Sequence, residues 1–315
     1  KYYAKHPALY RQYLLAGAHD KENRELLAIG KEALAAIDSK YVIRSQIALH
    51  MGHIALAEGQ PEEAERCWVE ALRSDTNVVN LLRLFTECRS FDSVRQEVEG
   101  ICRLMYRLAE RRQRDTDADG ERKENVVSVD TAYMLAFLNG EFSHVREQAM
   151  QKKKMLGWSG SFMKCGLAAF LLLLVEGDGS GQGCREMYKR IVTAVGFEKK
   201  EYEKGLNRTI EGTDQDWFWE CFRRWKKQVV LTDGEKKEYL QWIEGLLAKR
   251  IAGIMEINNR IKYSECAAMV AAVGEVKASW GDREEKQGIM LYYKQAYPHQ
   301  RAFHEKLRSF GMRDR

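Results

Sequence analysis

The sequence predicts an all-α protein, a solenoid of paired helices. Three observations lead there. Proline is scarce, with 3 in 315 residues, while Leu, Ala, Glu, Lys and Arg dominate. Apolar residues recur at spacings of three and four, the period of a helix face, and no long alternating β-branched run competes with that reading. One stretch, Arg44 to Thr76, reads as helix, turn and helix from its spacing alone.

That stretch has the offsets of a tetratricopeptide unit, in which small residues let two antiparallel helices approach. Ala48, Met51, Gly52, Ala55, Ala64, Trp68 and Thr76 stand at the signature places. Ala64, Trp68 and Ala71 keep the second-helix pattern of small residue, aromatic and small residue on one face. The first half is diluted, and the closing proline is missing. Gly59 suits the positive φ that ends a helix, Pro61 suits the first turn of the next, and Glu62 and Glu63 face the positive end of its dipole. The triplet Glu32-Ala33-Leu34 returns as Glu70-Ala71-Leu72 after 38 residues, near the period of helical-pair repeats.

Taken in order, Ala8 to Ala18 and Asn23 to Ile37 form a first helical pair. Asn77 to Glu87 and Asp92 to Ala109 continue the stack after the central unit. Arg111 to Asn125 then holds five basic and five acidic residues with nothing to bury beyond Ala118. It reads as a charged loop or linker, dividing an N-terminal tetratricopeptide-like lobe (1–110) from a C-terminal helical-repeat lobe (126–315). Val126 to Leu138 ends at the C-cap pair Asn139-Gly140. Phe142 to Leu156 follows, with Lys152, Lys153 and Lys154 complementing the helix dipole at its end. The run Gly166 to Val175 is about half a membrane span and reads as a buried helix. Helices are also expected at Cys184 to Val195, Lys199 to Leu206, Asp214 to Gln228, Gly234 to Ile257, Tyr263 to Trp280, Glu284 to Ala296 and His299 to Phe310.

The formal charge of +5 is small beside 51 basic and 46 acidic side chains, so the surface is densely mixed. Nucleic acid is permitted and not demanded. Seven scattered cysteines without a C-x-x-C pair fit reduced thiols of a cytoplasmic protein, which leaves the sequon at Asn207 without meaning. No membrane span or signal peptide is visible. A chain that begins at Lys1 is expected to be a fragment.

No catalytic motif appears: no G-x-S-x-G elbow, H-E-x-x-H or kinase loop. No cofactor is expected. The loop Gly177, Gly179, Gly181, Gly183 could cradle phosphate, but no strand precedes it and no Gly-Lys-Ser/Thr closes it, so a helix connection is the better reading. His50 and His53 have the spacing of a metal pair without a third ligand, and no metal site is expected. His299 and His304 do not share a helix face. The adjacent acids Glu62-Glu63 and Glu284-Glu285 point apart on a helix and supply no opposed carboxylates. In Asp214 to Gln228, Phe218, Phe222 and Trp225 share a core stripe. Trp219, Arg223, Arg224, Lys226 and Lys227 are the candidate nucleic-acid contacts, with Lys306, Arg308, Arg313 and Arg315 as a basic tail.

Several segments resemble the long helical region that follows the SWIM-type zinc finger in a group of bacterial proteins: Ile29 to Leu49, Leu156 to Leu174, Lys249 to Val276 and Ala302 to Met312. The finger itself is a C-x-C…C-x-H cluster, and none occurs here. The resemblance implies a companion metal-binding module upstream of Lys1. It also implies that the helical part is an interaction module, and it carries no functional residue into this chain. Composition, repeat and resemblance together predict a non-enzymatic scaffold for a protein or peptide partner. The alternative is a nucleic-acid-associated accessory domain.

Overall fold

The computed structural model describes residues 7–17, 22–112, 124–151, 161–177, 179, 181–194, 214–281 and 283–314. The expectations at Lys152 to Lys154, Lys199 to Leu206, the Asn207 sequon and Arg315, and most of the charged segment after Arg112, lie outside them. Every regular element among the described residues is helical, apart from an isolated bridge between Tyr41 and Glu124. By contacts the chain divides into two compact units, one drawn from Lys1–Val145 and Val195–Gln228, the other from Arg146–Ala194 and Val229–Arg315.

The first unit contains α1 (Pro7–Gly17), α2 (Asn23–Ala36), α3 (Val42–Ala57), α4 (Pro61–Ser74), α5 (Val78–Glu87), α6 (Arg95–Arg112), α7 (Val129–Leu138), the start of α8 (Phe142–Gln151) and α11 (Asp214–Gln228). The second contains the rest of α8, α9 (Ser161–Leu174), α10 (Gln182–Ala194), α12 (Asp233–Glu256), α13 (Tyr263–Ser279), α14 (Glu285–Ala296) and α15 (Arg301–Ser309).

Helices α3 and α4 make the tightest pairing. Their turn works as the sequence predicts: Gly59 takes φ +66°, and the Gly59 and Gln60 N–H groups donate back to the Leu56 and Ala55 carbonyls, closing α3. Pro61 opens α4, with Glu62 and Glu63 in its first turn. Ala48, Met51, Gly52, Ala55, Ala64, Trp68 and Ala71 are all buried. Trp68 is 1% exposed, and its indole lies so close to Gly52 that a Cβ there would meet Trp68 Nε1 at 2.8 Å. The aromatic of one helix therefore fills the space that the glycine of the other leaves.

Polar side chains reach across this unit to finish helix ends. The Arg44 guanidinium donates to the Leu34 and Ile37 carbonyls at the end of α2 and pairs with Glu70 of α4 at 2.7 Å. The described ends of the charged segment before α7 belong to ordered structure. Arg111 and Arg112 extend α6, and Asn125 is bonded to the end of α4 and to the segment before α3. Its amide accepts from the Thr76 N–H at 3.0 Å and donates to the Arg73 carbonyl at 2.9 Å, while its backbone N–H donates to Lys40. These groups close the end of α4.

In the second unit α9 presents the apolar run Gly166 to Val175, buried throughout, to α10, α12 and α13. Phe170 meets the rings of Tyr239 and Trp242. No helix among the described residues is long and apolar enough to cross a membrane. Helix α12 starts with a reciprocal cap, Thr232 and Glu235 each accepting from the other's backbone N–H.

The seam between α3 and α4 is testable. Trp68→Ala is expected to lower stability by about 3–5 kcal/mol, and Gly52→Ala by about 1–3 kcal/mol through overpacking. Because the two residues touch, the double variant should lose less than the sum. Urea unfolding of the four proteins measures the coupling, and strict additivity would remove the assignment of contact.

Candidate functional site

The side chains proposed from sequence for nucleic-acid contact lie on α11. One face of this helix is core: Phe218, Phe222 and Trp225 are buried, Trp225 donates from Nε1 to the Leu138 carbonyl at 2.7 Å, and its ring meets Phe137 and Phe142. Trp219 is half-buried, its ring parallel to Phe222 at 6.1 Å between centroids. Arg223 and Arg224 are exposed, and both bond Glu220, one turn earlier. Arg224 also donates to the Thr86 carbonyl on α5 at 3.2 Å. Hydrogen bonds from Arg223 and then Arg224 hold the Glu220 carboxyl below its ordinary value, so Glu220 stays ionised and balances them. Lys226 is half-buried, and Lys227 is exposed. The five residues share a helix, but its two guanidiniums are already paired.

The glycine-rich loop has a definite occupant. The Glu275 carboxylate, from α13, accepts from the Gly183 N–H at 3.1 Å and the Cys184 N–H at 2.8 Å, at the start of α10. It also accepts from Lys286 Nζ of α14 at 2.8 Å. A Cβ on Gly181 would lie 2.1 Å from the Glu275 carboxyl carbon, and one on Gly183 would lie 2.3 Å from the Ala272 backbone nitrogen. An internal carboxylate thus takes the helix-start position that a phosphate takes in nucleotide-binding loops. The sequence gives no sign of this pairing, because Glu275 is 91 residues from Cys184.

No family model matches the chain, and no curated protein or solved structure matches it.

His50 and His53 do not converge. His50 is 7% exposed, its Nε2–H donating to the Leu14 carbonyl at 3.2 Å, whereas His53 is exposed. Among the described residues no three His, Cys, Asp or Glu side chains are placed to hold a metal. Burial pushes the thiols of Cys67, Cys88, Cys102, Cys221 and Cys266 up to about 12, which keeps them protonated at neutral pH and poor as nucleophiles.

The basic residues near the C-terminus are better assembled. Arg308 joins Lys294, Arg301 and His304 around a groove on α14 and α15. Lys306 and Arg313 are exposed. Sequence reading missed Lys294 and Arg301. The signal was available for Arg301, since Arg301, His304 and Arg308 fall at helical spacing after Pro298.

Two measurements probe these sites. Glu275→Ala leaves two helix-start N–H groups and Lys286 without their acceptor. It should cost about 2–4 kcal/mol, less than a fully buried pair because the Lys286 side chain is 22% exposed. Glu275→Gln should fall between it and wild type in urea unfolding. A loss under about 1 kcal/mol for Glu275→Ala would show that the cap is dispensable.

Burial lowers the His50 pKa below its ordinary 6.5, outweighing the Leu14 hydrogen bond. Below pH 6.5 the unfolded chain takes up a proton that the folded chain refuses. The His50 contribution is therefore present above that pH and lost as pH falls. Melting temperature should drop between about pH 7 and 5, less steeply in His50→Asn. Equal slopes would assign the dependence to other groups.

Proposed function

We propose that the chain is a non-enzymatic helical scaffold of tetratricopeptide-like pairs that binds a protein or peptide partner. The observation that carries this reading is the α3–α4 pair. Its small residues and single large aromatic interdigitate at the offsets of a repeat whose stacking creates extended binding surfaces. The resemblance to the region following SWIM-type zinc fingers supports the same reading and adds a metal-binding module upstream of Lys1, in a cytoplasmic protein.

The competing reading, a nucleic-acid accessory domain, needs Arg223 and Arg224 to leave Glu220 for phosphate. Each exchange would cost the pair already formed, so α11 should contribute little affinity. Titration against single- and double-stranded oligonucleotides at two salt concentrations tests this. The scaffold reading expects dissociation constants of about 10⁻⁴ to 10⁻⁶ M or weaker, the non-specific range. Sub-micromolar binding at physiological salt, lost in Arg223→Ala/Arg224→Ala with the fold intact, would overturn it. Affinity capture from native lysate should return a protein partner that survives nuclease treatment.

A further inference from the structure

Helices α14 and α15 and the turn between them enclose a groove of about 510 Å³, lined by Lys294, Pro298, Arg301, His304, Glu305 and Arg308. Arg301, His304 and Arg308 lie at positions i, i+3 and i+7 of α15 and share one face. Lys294 is supplied by α14. His304 is fixed by its Nε2–H, which donates to the Tyr297 carbonyl at 2.9 Å.

Two of the cations that line the groove already share a carboxylate. Asp314, beyond the end of α15, accepts from Lys294 Nζ at 2.5 Å through one oxygen and from Arg308 Nε at 2.6 Å through the other. Gln287 positions this tail by donating to the Gly311 carbonyl at 2.7 Å and accepting from the Arg313 N–H at 2.9 Å. The two cations hold the Asp314 carboxyl down at about 2, so it is ionised at neutral pH.

Arg301 is different. Its side chain is exposed and makes no ion pair or hydrogen bond among the described residues. It also stands at the first position of α15, whose N-cap residue Gln300 makes no side-chain cap. The dipole at a helix start favours a negative charge, and the residue supplied is a cation. Lys294 and Arg308 on one side, and Arg301 with the open helix start on the other, are two anion-seeking points in one groove. The chain fills only the first.

We propose that this groove docks an acidic peptide segment of a protein partner, and that Asp314 is the internal carboxylate such a segment displaces. This rests on the scaffold reading and gives it a partner chemistry. The internal occupant is a carboxylate held through both oxygens, the geometry an Asp or Glu side chain would reproduce.

The test uses the full chain and a fluorescein-labelled Gly/Ser peptide carrying four aspartates, with an Asn-for-Asp peptide as control, at about 0.1 M salt, where screening is moderate. The Asp peptide should bind and the Asn peptide should not. Removing the competitor in Asp314→Asn should tighten binding by about three- to tenfold, the scale of two exposed ion pairs. Lys294→Gln with Arg308→Gln should weaken it at least about tenfold, with the helical circular dichroism unchanged. Unchanged affinity in Asp314→Asn, or wild-type affinity in the double variant, would overturn the proposal. So would an unlabelled oligothymidylate that displaces the peptide at lower concentration than the unlabelled peptide does. Capture of the same partner by wild type and by the double variant would overturn the groove while leaving the scaffold standing. Loss of nuclease-resistant capture by wild type would bring down the scaffold reading itself.

Discussion

Close approach of helices through glycine is the constraint on which both units depend. A Cβ at Gly30 would meet Met51 Sδ at 2.4 Å, at Gly52 Trp68 Nε1 at 2.8 Å, at Gly183 the Ala272 backbone at 2.3 Å, and at Gly274 the Lys286 backbone at 2.8 Å. Helical glycine weakens a helix by about 1 kcal/mol relative to alanine, so these positions are locally unfavourable and are compensated by what packs into them. Gly100, Gly245, Gly253 and Gly288 meet nothing comparable and show that glycine in these helices does not by itself imply a crossing. What decides is the partner, a large side chain or a neighbouring backbone brought within contact of the helix axis.

Once helices are that close, their ends are buried, and buried backbone groups need partners. The chain meets this need with side chains from elsewhere in sequence. Arg44 closes α2, Asn125 closes α4, and Glu275 opens α10 while pairing Lys286 of α14. Such caps do two things at once. They satisfy the helix end, and they fix which neighbour must lie against it, so packing and capping specify the same arrangement.

This explains which parts of the molecule were legible in the sequence. The α3–α4 turn, the C-cap at Gly140 and the core stripe of α11 all depend on residues within one or two turns of each other, where periodicity and turn chemistry act. Gly140 has φ +83°, and Phe218, Phe222 and Trp225 are buried on one face. The occupant of the glycine-rich loop was not legible, because a glutamate on an apolar helix far along the chain has no local mark of its role. Nor was the role of Asn125, which a run of charged neighbours disguised as solvated loop. In the groove of α14 and α15, Arg308 was visible as a basic residue near the chain's end. Its pairing with Asp314 and its convergence with Lys294 were not, because those depend on how two helices and a tail fold back on one another.

The charges themselves carry the last step. With 51 basic and 46 acidic side chains, a cation on this chain commonly has an anion one turn away or on the next helix. Arg89 holds Glu62 and Glu65, and Arg223 and Arg224 hold Glu220. A ligand that engages such a residue replaces a pair already made, and the net gain is small. Charge on this surface therefore selects orientation and partner more than it supplies affinity. A cation without an internal partner is the exception, because its binding of an anion displaces only water. Arg301, exposed at the start of α15 in a groove that it shares with Lys294 and Arg308, is a place where that difference would act.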